Sequence, residues 1–360
     1  MYAYMHRALQ RAPAPDLAST IMASTLHEST SEDTLDAAQQ DALDAIRSFI
    51  QSRTSYDVFP VSFRLIVLDT QLLVRKSLNI LLQNNIVSAP LWDSNESKFS
   101  GLLTVSDFIN VIQYYQRHTS LPQALLEMED FKLHGLRDIE KKIGAPPPET
   151  YYIAPSRSLY DACKYLIKSR ARRIPLVDIN THTGKEMLVS VLTQYRILKF
   201  IAVNCKETTL LKKSLAELHI GTYDELLTAD MNTPVLRVID MLAKHDIASV
   251  PIVDKEGVVL NVYEAVDVLT IIRAGQYGDL ELTVGQALLR RPDEFAGVHK
   301  CTEQDTLAGI FNTIRRERLY RLVVVDDAGK LKGMVTLSDI LKYMLDGNGD
   351  EHMEHHRASP

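Results

Sequence analysis

Three acidic residues occupy the same position in a recurring phrase that joins a strand-like apolar run to a helix-like run. They are Asp107, Asp267 and Asp339, and each comes three residues after Thr104, Glu264 or Thr336. A carboxylate at the third position of a helix can accept a hydrogen bond from an unpaired backbone amide, which is a purely structural role. The same group can accept hydrogen bonds from two vicinal hydroxyls, such as those of a ribose. The phrase alone leaves both interpretations open.

A fourth copy of the phrase departs from the other three. It begins at Thr193, and Arg196 stands where the acid is expected. A cation at a helix start is unfavourable for capping and cannot accept a hydroxyl proton. We therefore predict three competent carboxylate sites and a non-functional one at Arg196.

Basic residues form a second candidate set. Arg172 and Arg173 end a helix-like segment directly before an apolar strand, and Arg321 has the same position as Arg173 in a later copy. Positive charge at the end of a helix is favourable without any ligand, so a solvated helix end is one interpretation. The other is an anion site, because the guanidinium group suits bidentate contacts to phosphate.

The elements that carry these residues repeat along the chain. The apolar strands that precede the junction phrases are centred on Pro90, Pro175, Pro251 and Val323. Each follows a segment with helical periodicity and is followed by a second strand and a second helix. A repeat of more than 70 residues indicates tandem supersecondary units. We predict an α/β protein of four β-α-β-β-α units.

The linkers set the boundaries of these units. The run 144–148, which reads Gly-Ala-Pro-Pro-Pro, cannot be helical and separates the first two units. The predicted units span residues 39–117, 151–204, 230–275 and 297–346, with linkers at 118–150, 205–229 and 276–296. The polar or Pro/Ala-rich ends, 1–38 and 347–360, are predicted to be disordered.

Composition excludes several classes of function. The net charge of −6 gives no general affinity for nucleic acid. No apolar run approaches the roughly 20 residues that cross a bilayer, and the first residues lack a signal-peptide centre, which predicts a protein inside the cell. Phosphate-binding loops and nucleophile motifs are missing from the sequence, so we expect no enzyme and no cofactor. Cys163, Cys205 and Cys301 are expected to be reduced core residues, and the histidines of the tail, 352, 355 and 356, to be solvated rather than metal ligands.

Four stretches of sequence carry a family resemblance. The repeated units resemble cystathionine-β-synthase (CBS) domains, which pair into Bateman modules. Residues 84–93, 193–200, 220–223 and 337–341 further resemble the gamma subunits of the AMP-activated, or sucrose-non-fermenting, protein kinase in their fungal form. The similarity covers roughly residues 40 to 345. It implies two Bateman modules in a disc, with nucleotide clefts near its centre.

The resemblance also implies roles for single residues. Asp107, Asp267 and Asp339 would bind the ribose of a nucleotide. The implied phosphate-binding residues are Arg172, Arg173, Lys199 and Arg321. Further nucleotide contacts are implied for Thr104, Ser249, Thr336 and Ser338.

Three positions depart from the pattern of the animal family. Val87, Tyr195 and Tyr320 stand where Arg, Lys and His are usual. The pocket of Asp107 therefore loses phosphate partners, and we expect the pocket of Asp339 to be the best occupied.

The function implied is that of a non-catalytic subunit that binds AMP, ADP and ATP. It would couple cellular energy status, as in glucose starvation, to a kinase with a catalytic alpha subunit and a scaffolding beta subunit. A cytoplasmic and nuclear location is expected. The alternative is a four-CBS regulator of a protein phosphatase with weak or vestigial nucleotide sites.

Overall fold

The structure is a computed structural model that describes residues 17–59, 64–118, 131–145, 151–169, 172–273, 282–291 and 297–346. Side chains are described from Leu35 onward in the first helix and up to Tyr114 in the helix that ends unit one.

Units one and four contain all five predicted elements. Unit one comprises β1 (Leu68–Asp69), α2 (Val74–Gln83), β2 (Ser88–Asp93), β3 (Lys98–Thr104) and α3 (Val105–His118). It is preceded by α1 (Leu17–Ser52) and a 3-10 helix (Ser55–Val58). A second 3-10 helix (Leu133–Gly135) and α4 (Leu136–Ile143) follow it. Unit four comprises β8 (Lys300–Cys301), α11 (Leu307–Arg316), β9 (Arg321–Val325), β10 (Leu331–Thr336) and α12 (Leu337–Asp346).

Units two and three have the same order of elements with a shorter first strand. Unit two contains α5 (Leu159–Lys168), β4 (Arg173–Ile179), β5 (Glu186–Thr193) and α6 (Gln194–Asn204), then a 3-10 helix (Lys206–Leu210) and α7 (Leu215–Leu218). Unit three contains α8 (Val235–Lys244), β6 (Ser249–Val253), β7 (Val259–Glu264) and α9 (Ala265–Arg273), then α10 (Val284–Leu288).

Each unit is built on a small sheet whose last two strands are antiparallel. In units one and four the first strand adds in parallel to the second, giving mixed sheets of three strands. In units two and three that strand is reduced to a parallel bridge, Ile153 to Leu176 and Ala229 to Ile252. The predicted β-α-β-β-α pattern and the α/β class are confirmed.

The units are joined in two different ways. Sheets meet between units one and two, where the amide of Phe99 donates to Glu186 at 2.8 Å, and between units three and four, where the amide of Leu331 donates to the carbonyl of Gly257 at 3.0 Å. Helices pack instead between units one and three and between units two and four, around two separate apolar cores. Each unit therefore contacts two others, and the four form a closed ring in the order one, two, four, three.

The N-terminal segment differs from the prediction. Disorder is predicted for 1–38, whereas α1 begins at Leu17; residues 1–16 and 347–360 lie outside the described residues. The segment from Leu17 to Ser52 contains neither Gly nor Pro, so nothing in it interrupts a helix once Pro15 is passed. Its second half buries Leu43, Ile46 and Ile50 in the core of units two and four. The apolar stripe of this half holds it against units two and four.

The cysteines Cys163, Cys205 and Cys301 are buried and free, which confirms their assignment to the core. None of the helices in the described ranges is both long and apolar enough to cross a membrane. Gly144 ends α4 with a φ of +71°, and residues 146–150 of the predicted linker lie outside the described part of the chain.

Candidate functional site

The junction phrases lie opposite the starts of the neighbouring strands. In unit four, Arg321 pairs with Thr336 in the register of β9 and β10, and in unit two Arg173 pairs with Thr193. The other two units place Ser249 opposite Glu264 and Ser88 opposite Thr104. The first residue of each strand phrase is thus brought beside the start of a helix.

One oxygen of each repeat aspartate performs the capping role. Oδ2 of Asp107 accepts hydrogen bonds from the amide and hydroxyl of Thr104 at 2.6 and 2.8 Å. Oδ2 of Asp339 accepts the same two bonds from Thr336 at 2.7 and 2.8 Å. Oδ2 of Asp267 accepts one from the amide of Glu264 at 2.7 Å. The capping interpretation is therefore correct for Oδ2, and a ligand-binding role depends on the other oxygen.

The second oxygen distinguishes the three aspartates. Oδ1 of Asp107 accepts a bond from Arg137 at 3.1 Å, and Oδ1 of Asp267 accepts one from Arg291 at 2.8 Å. For Asp339, every hydrogen bond that its carboxylate makes within the described part of the chain ends on Oδ2. Oδ1 of Asp339 is therefore available to an incoming hydroxyl group.

One arginine of unit two, Arg172, interacts electrostatically with this free carboxylate. Burial, followed by the charge of Arg321, lowers the pKa of Arg172, while the carboxylates of Asp246 and Asp339 act in the opposite direction. Arg172 is thus within electrostatic range of groups from units three and four. Its backbone has a φ of +54°, a left-handed conformation that is unfavourable for a residue with a side chain.

Arg173 extends the cationic cluster. Burial is the main cause that lowers the pKa of Arg173. Tyr320 acts to raise this pKa, and the charges of Arg172 and Arg318 lower it further. The guanidinium of Arg318 lies 5.4 Å from the ring centre of Tyr320, which in turn lies 5.9 Å from that of Tyr195. Several like charges held close together are costly unless an anion joins them.

Arg321 already has an acidic partner. It forms an ion pair with Glu264, the residue that replaces threonine in the junction phrase of unit three. Both side chains are mostly buried, at 15% and 24% exposed. Arg321 therefore faces the cluster with part of its charge neutralised.

Other residues in the predicted site are placed differently. Lys199 donates to the carbonyl oxygens of Ile314, at 3.1 Å, and Arg315, so its ammonium group caps the end of α11. Ser338 exchanges hydrogen bonds of 2.9 and 3.2 Å with Gln194 of unit two. Arg196 turns back to the carbonyl of Val191 at 3.1 Å. Tail residues 352, 355 and 356 lie outside the described part of the chain.

Several residues that the sequence analysis did not identify as site residues interact with the predicted ones or lie beside them: Arg137 at Asp107, Arg291 at Asp267, Glu264 at Arg321, Gln194 at Ser338 and Arg318 near Arg173. Arg137 and Arg291 lie in segments assigned to linkers, outside the repeated phrases, where an arginine among other charged residues carries no recognisable pattern. For Glu264 a signal existed, since it replaces threonine at the start of a junction phrase.

This architecture and site define a tandem CBS-domain protein. The CBS domain family matches residues 220–274 and 296–346, which are units three and four. A protein of known structure from Methanocaldococcus jannaschii, described as an archaeal homologue of the gamma subunit of AMP-activated protein kinase, aligns with a TM-score of 0.65 and 14% identity. The alignment covers 81% of this chain and 99% of that one, which supports the fold.

Sequence relatives are more specific. The 5'-AMP-activated protein kinase subunit gamma of Kluyveromyces lactis is 56% identical over 315 residues, covering 87% of this chain and 95% of that protein. The subunit of the same name in Saccharomyces cerevisiae is 54% identical over 318 residues, covering 88% and 98%. The chain belongs to the family of AMP-activated protein kinase gamma subunits, which confirms the predicted resemblance.

Proposed function

We propose that this subunit binds AMP, ADP and ATP in competition at a site formed by Asp339 and the arginines around it, and that occupancy regulates a heterotrimeric protein kinase. The observation that carries the proposal is the free Oδ1 of Asp339 within electrostatic range of Arg172. A carboxylate that accepts from vicinal hydroxyls and arginines that bind phosphate are the two chemistries that a ribonucleotide requires.

The division of roles follows from position. Asp339 would hold the ribose, and Arg172, Arg173 and Arg321 would bind the phosphates, with Thr336 and Ser338 at the edge of the site. Lys199 and Ser249 are weaker candidates, since Lys199 is engaged by backbone carbonyls and Ser249 lies opposite the acidic Glu264. Arg196 replaces the carboxylate in unit two, and we propose that no ribose binds there.

The way the units are joined supports a regulatory role. Arg172 and Arg173 belong to unit two, Asp339 and Arg321 to unit four, and Glu264 to unit three. A nucleotide bound among them contacts three units and can favour one arrangement of the units over another. A ligand shifts a conformational equilibrium only if it binds the two states unequally.

We further propose that the subunit is not itself catalytic and acts with a catalytic alpha and a scaffolding beta subunit in the cytoplasm and nucleus. The gamma-subunit relatives favour a kinase over the alternative phosphatase partner. We also propose the unit boundaries that the sequence predicts, 39–117, 151–204, 230–275 and 297–346.

Titration calorimetry of the purified protein, alone and with its partners, tests nucleotide binding. We expect each of AMP, ADP and ATP to bind in the micromolar range, about −8 kcal/mol, and to displace one another. Absence of heat for all three nucleotides, or binding without mutual competition, would refute the proposal.

A further inference from the structure

α1 precedes unit one in the chain but packs against units two and four. It lies on α5 of unit two, on the 3-10 helix Lys206–Leu210 that follows this unit, and on α12 of unit four. Leu43, Ile46 and Ile50 are almost completely buried in the apolar core that the two units share. α1 therefore lies across the joint between units two and four.

Side chains of α1 hold the last turn of α12 in unit four. Nε of Arg47 donates to the carbonyl of Met344 at 2.8 Å, and Nε2 of Gln39 donates to the hydroxyl of Tyr343 at 3.1 Å. The last four carbonyls of a helix have no partner within it, and a cation is favourable at this end. Gln39 and Tyr343 are both buried. α1 thus supplies buried hydrogen-bond partners to the C-terminal end of α12.

The C-terminal end of α1 is attached to unit two. Phe49 stacks on Phe200 of α6, with the ring centres 5.6 Å apart. Just beyond the end of α1, the carbonyl of Arg53 accepts a hydrogen bond of 2.7 Å from the amide of Leu159, the first residue of α5. A single continuous segment of the chain therefore binds both units.

α12 connects α1 to the proposed nucleotide site. Asp339 lies in the first turn of this helix, and Met344 comes five residues later in its last turn. Five residues of an α-helix advance about 7.5 Å, which is a short and rigid connection. A movement of α12 at Asp339 therefore also moves the carbonyl that Arg47 holds.

The proposed nucleotide spans the same two units as α1. Its phosphate partners Arg172 and Arg173 belong to unit two, whereas Asp339 belongs to unit four. A bound nucleotide favours the arrangement of the two units in which both sets of residues reach it. α1 favours the arrangement in which it contacts both units. When two contacts favour the same arrangement, each strengthens the other to the same extent.

We infer that α1 is a regulatory strap: a nucleotide bound at Asp339 tightens the attachment of α1 to units two and four, and the attachment of α1 tightens nucleotide binding. The inference rests on the proposed function and adds a responding element to it. The face of α1 that carries Gln40, Asp44 and Ser48 is exposed and presents the nucleotide state at a surface away from the site.

Hydrogen–deuterium exchange of the full chain, with and without AMP, tests the inference. AMP should slow exchange of the amides of residues 42–50 about fivefold or more, the lower end of typical coupling between two sites. α2 of unit one is the internal control, because its exchange slows equally only if AMP stabilises the whole molecule.

Calorimetry on the same samples separates the inference from the proposed function. If AMP binds but exchange in α1 is unchanged, or slows no more than in α2, the inference is overturned and the proposed function stands. If the unaltered protein binds no AMP, the proposed function fails and the inference fails with it.

Arg47→Met provides the reciprocal test. It removes the hydrogen bond to Met344 while keeping an unbranched side chain, so exchange in residues 42–50 should accelerate. The affinity for AMP should fall by up to the factor by which AMP slows exchange in the unaltered protein. Ser48→Ala, on the exposed face of the same helix, is the matched control and should change neither quantity, since the Ser48 hydroxyl bonds only the carbonyl of Asp44 within α1.

Two results of the Arg47→Met experiment would overturn the inference. Unchanged exchange in α1 would show that the contact with α12 does not hold it, and faster exchange with unchanged AMP affinity would show that the strap and the site are independent. Circular dichroism confirms folding. If the methionine variant is unstable, Arg47→Lys, which keeps the positive charge at the end of α12, should show the same two changes to a smaller degree.

Discussion

Arg321 and Thr336 lie directly opposite each other in the antiparallel pair of β9 and β10, and Thr336 donates both its amide and its hydroxyl to Asp339. The guanidinium of Arg321, the capping Thr336 and the carboxylate of Asp339 are thereby held at one end of the antiparallel pair β9–β10. Unit two repeats the arrangement with Arg173 and Thr193 but ends in Arg196. The same geometry therefore presents opposite charges in the two units that pack against each other.

The first prediction concerns Asp339. Asp339→Ala should weaken AMP binding by roughly 2 to 4 kcal/mol, since two hydrogen bonds to a charged acceptor are lost. Loss of the cap should lower the free energy of unfolding by only about 1 kcal/mol. Arg196→Ala is the matched control and should leave nucleotide stoichiometry unchanged. Normal AMP affinity in an Asp339→Ala protein that melts early would leave Asp339 with the capping role alone.

The second prediction concerns the ion pair of Arg321 and Glu264. Arg321→Ala should weaken ATP and ADP more than uncharged adenosine, because the guanidinium contributes mainly through phosphate. Glu264→Gln should have the opposite effect and strengthen ATP binding, since it removes the charge that neutralises Arg321. Competition assays with the three ligands measure both. Equal losses for all three ligands in Arg321→Ala would assign Arg321 a structural role.

The third prediction uses the left-handed backbone of Arg172. Arg172→Gly removes the guanidinium and relieves the backbone strain, so affinity for ATP should fall while the free energy of unfolding rises by up to about 1 kcal/mol. Arg172→Ala removes the guanidinium and keeps the strain, so it should weaken ATP equally without any gain in stability. Denaturant unfolding and calorimetry compare the two variants. Equal free energies of unfolding for the glycine and alanine variants would show that the left-handed backbone at Arg172 costs no stability.

The fourth prediction concerns pH. Burial, and then the hydrogen bond and charge of Asp107, raise the pKa of Glu140 from its ordinary 4.5 to about 7, against the opposing effect of Arg137. Between these two values the folded protein holds a proton that the unfolded chain has lost, so the contribution of Glu140 to stability declines as pH rises toward 7.

Unfolding free energies of the unaltered protein and of Glu140→Gln, measured from pH 5 to pH 8, test this. The glutamine cannot titrate, so the unaltered protein should lose stability relative to the variant with increasing pH. Glu256→Gln, at an exposed position between β6 and β7, controls for the substitution. Parallel pH curves for the unaltered protein and Glu140→Gln would show that Glu140 ionises normally.

The repeated elements and the capping aspartates could be predicted because they depend on local pattern. Apolar periodicity specifies strands and helices, and the start of each helix requires particular residue types. Arg173 and Arg321, the first residues of β4 and β9, could likewise be recognised from their position in the repeat. The structure continues α1 back to Leu17, within the range 1–38 for which disorder is predicted, and the apolar side chains that pack α1 against units two and four lie further along the helix.

The sequence by itself determined the four units, their order of elements, their family and the three carboxylates that could bind ribose. Only the tertiary structure decided which carboxylate is free. Arg137 and Arg291 are distant in sequence from each other and lie outside the repeated phrases, yet the bridges Leu73 to Lys132 and Pro234 to Thr283 bring their segments to equivalent places in units one and three. A hydrogen bond or a close backbone contact depends on distance in space, and residues joined through separate segments leave no periodic pattern in the chain.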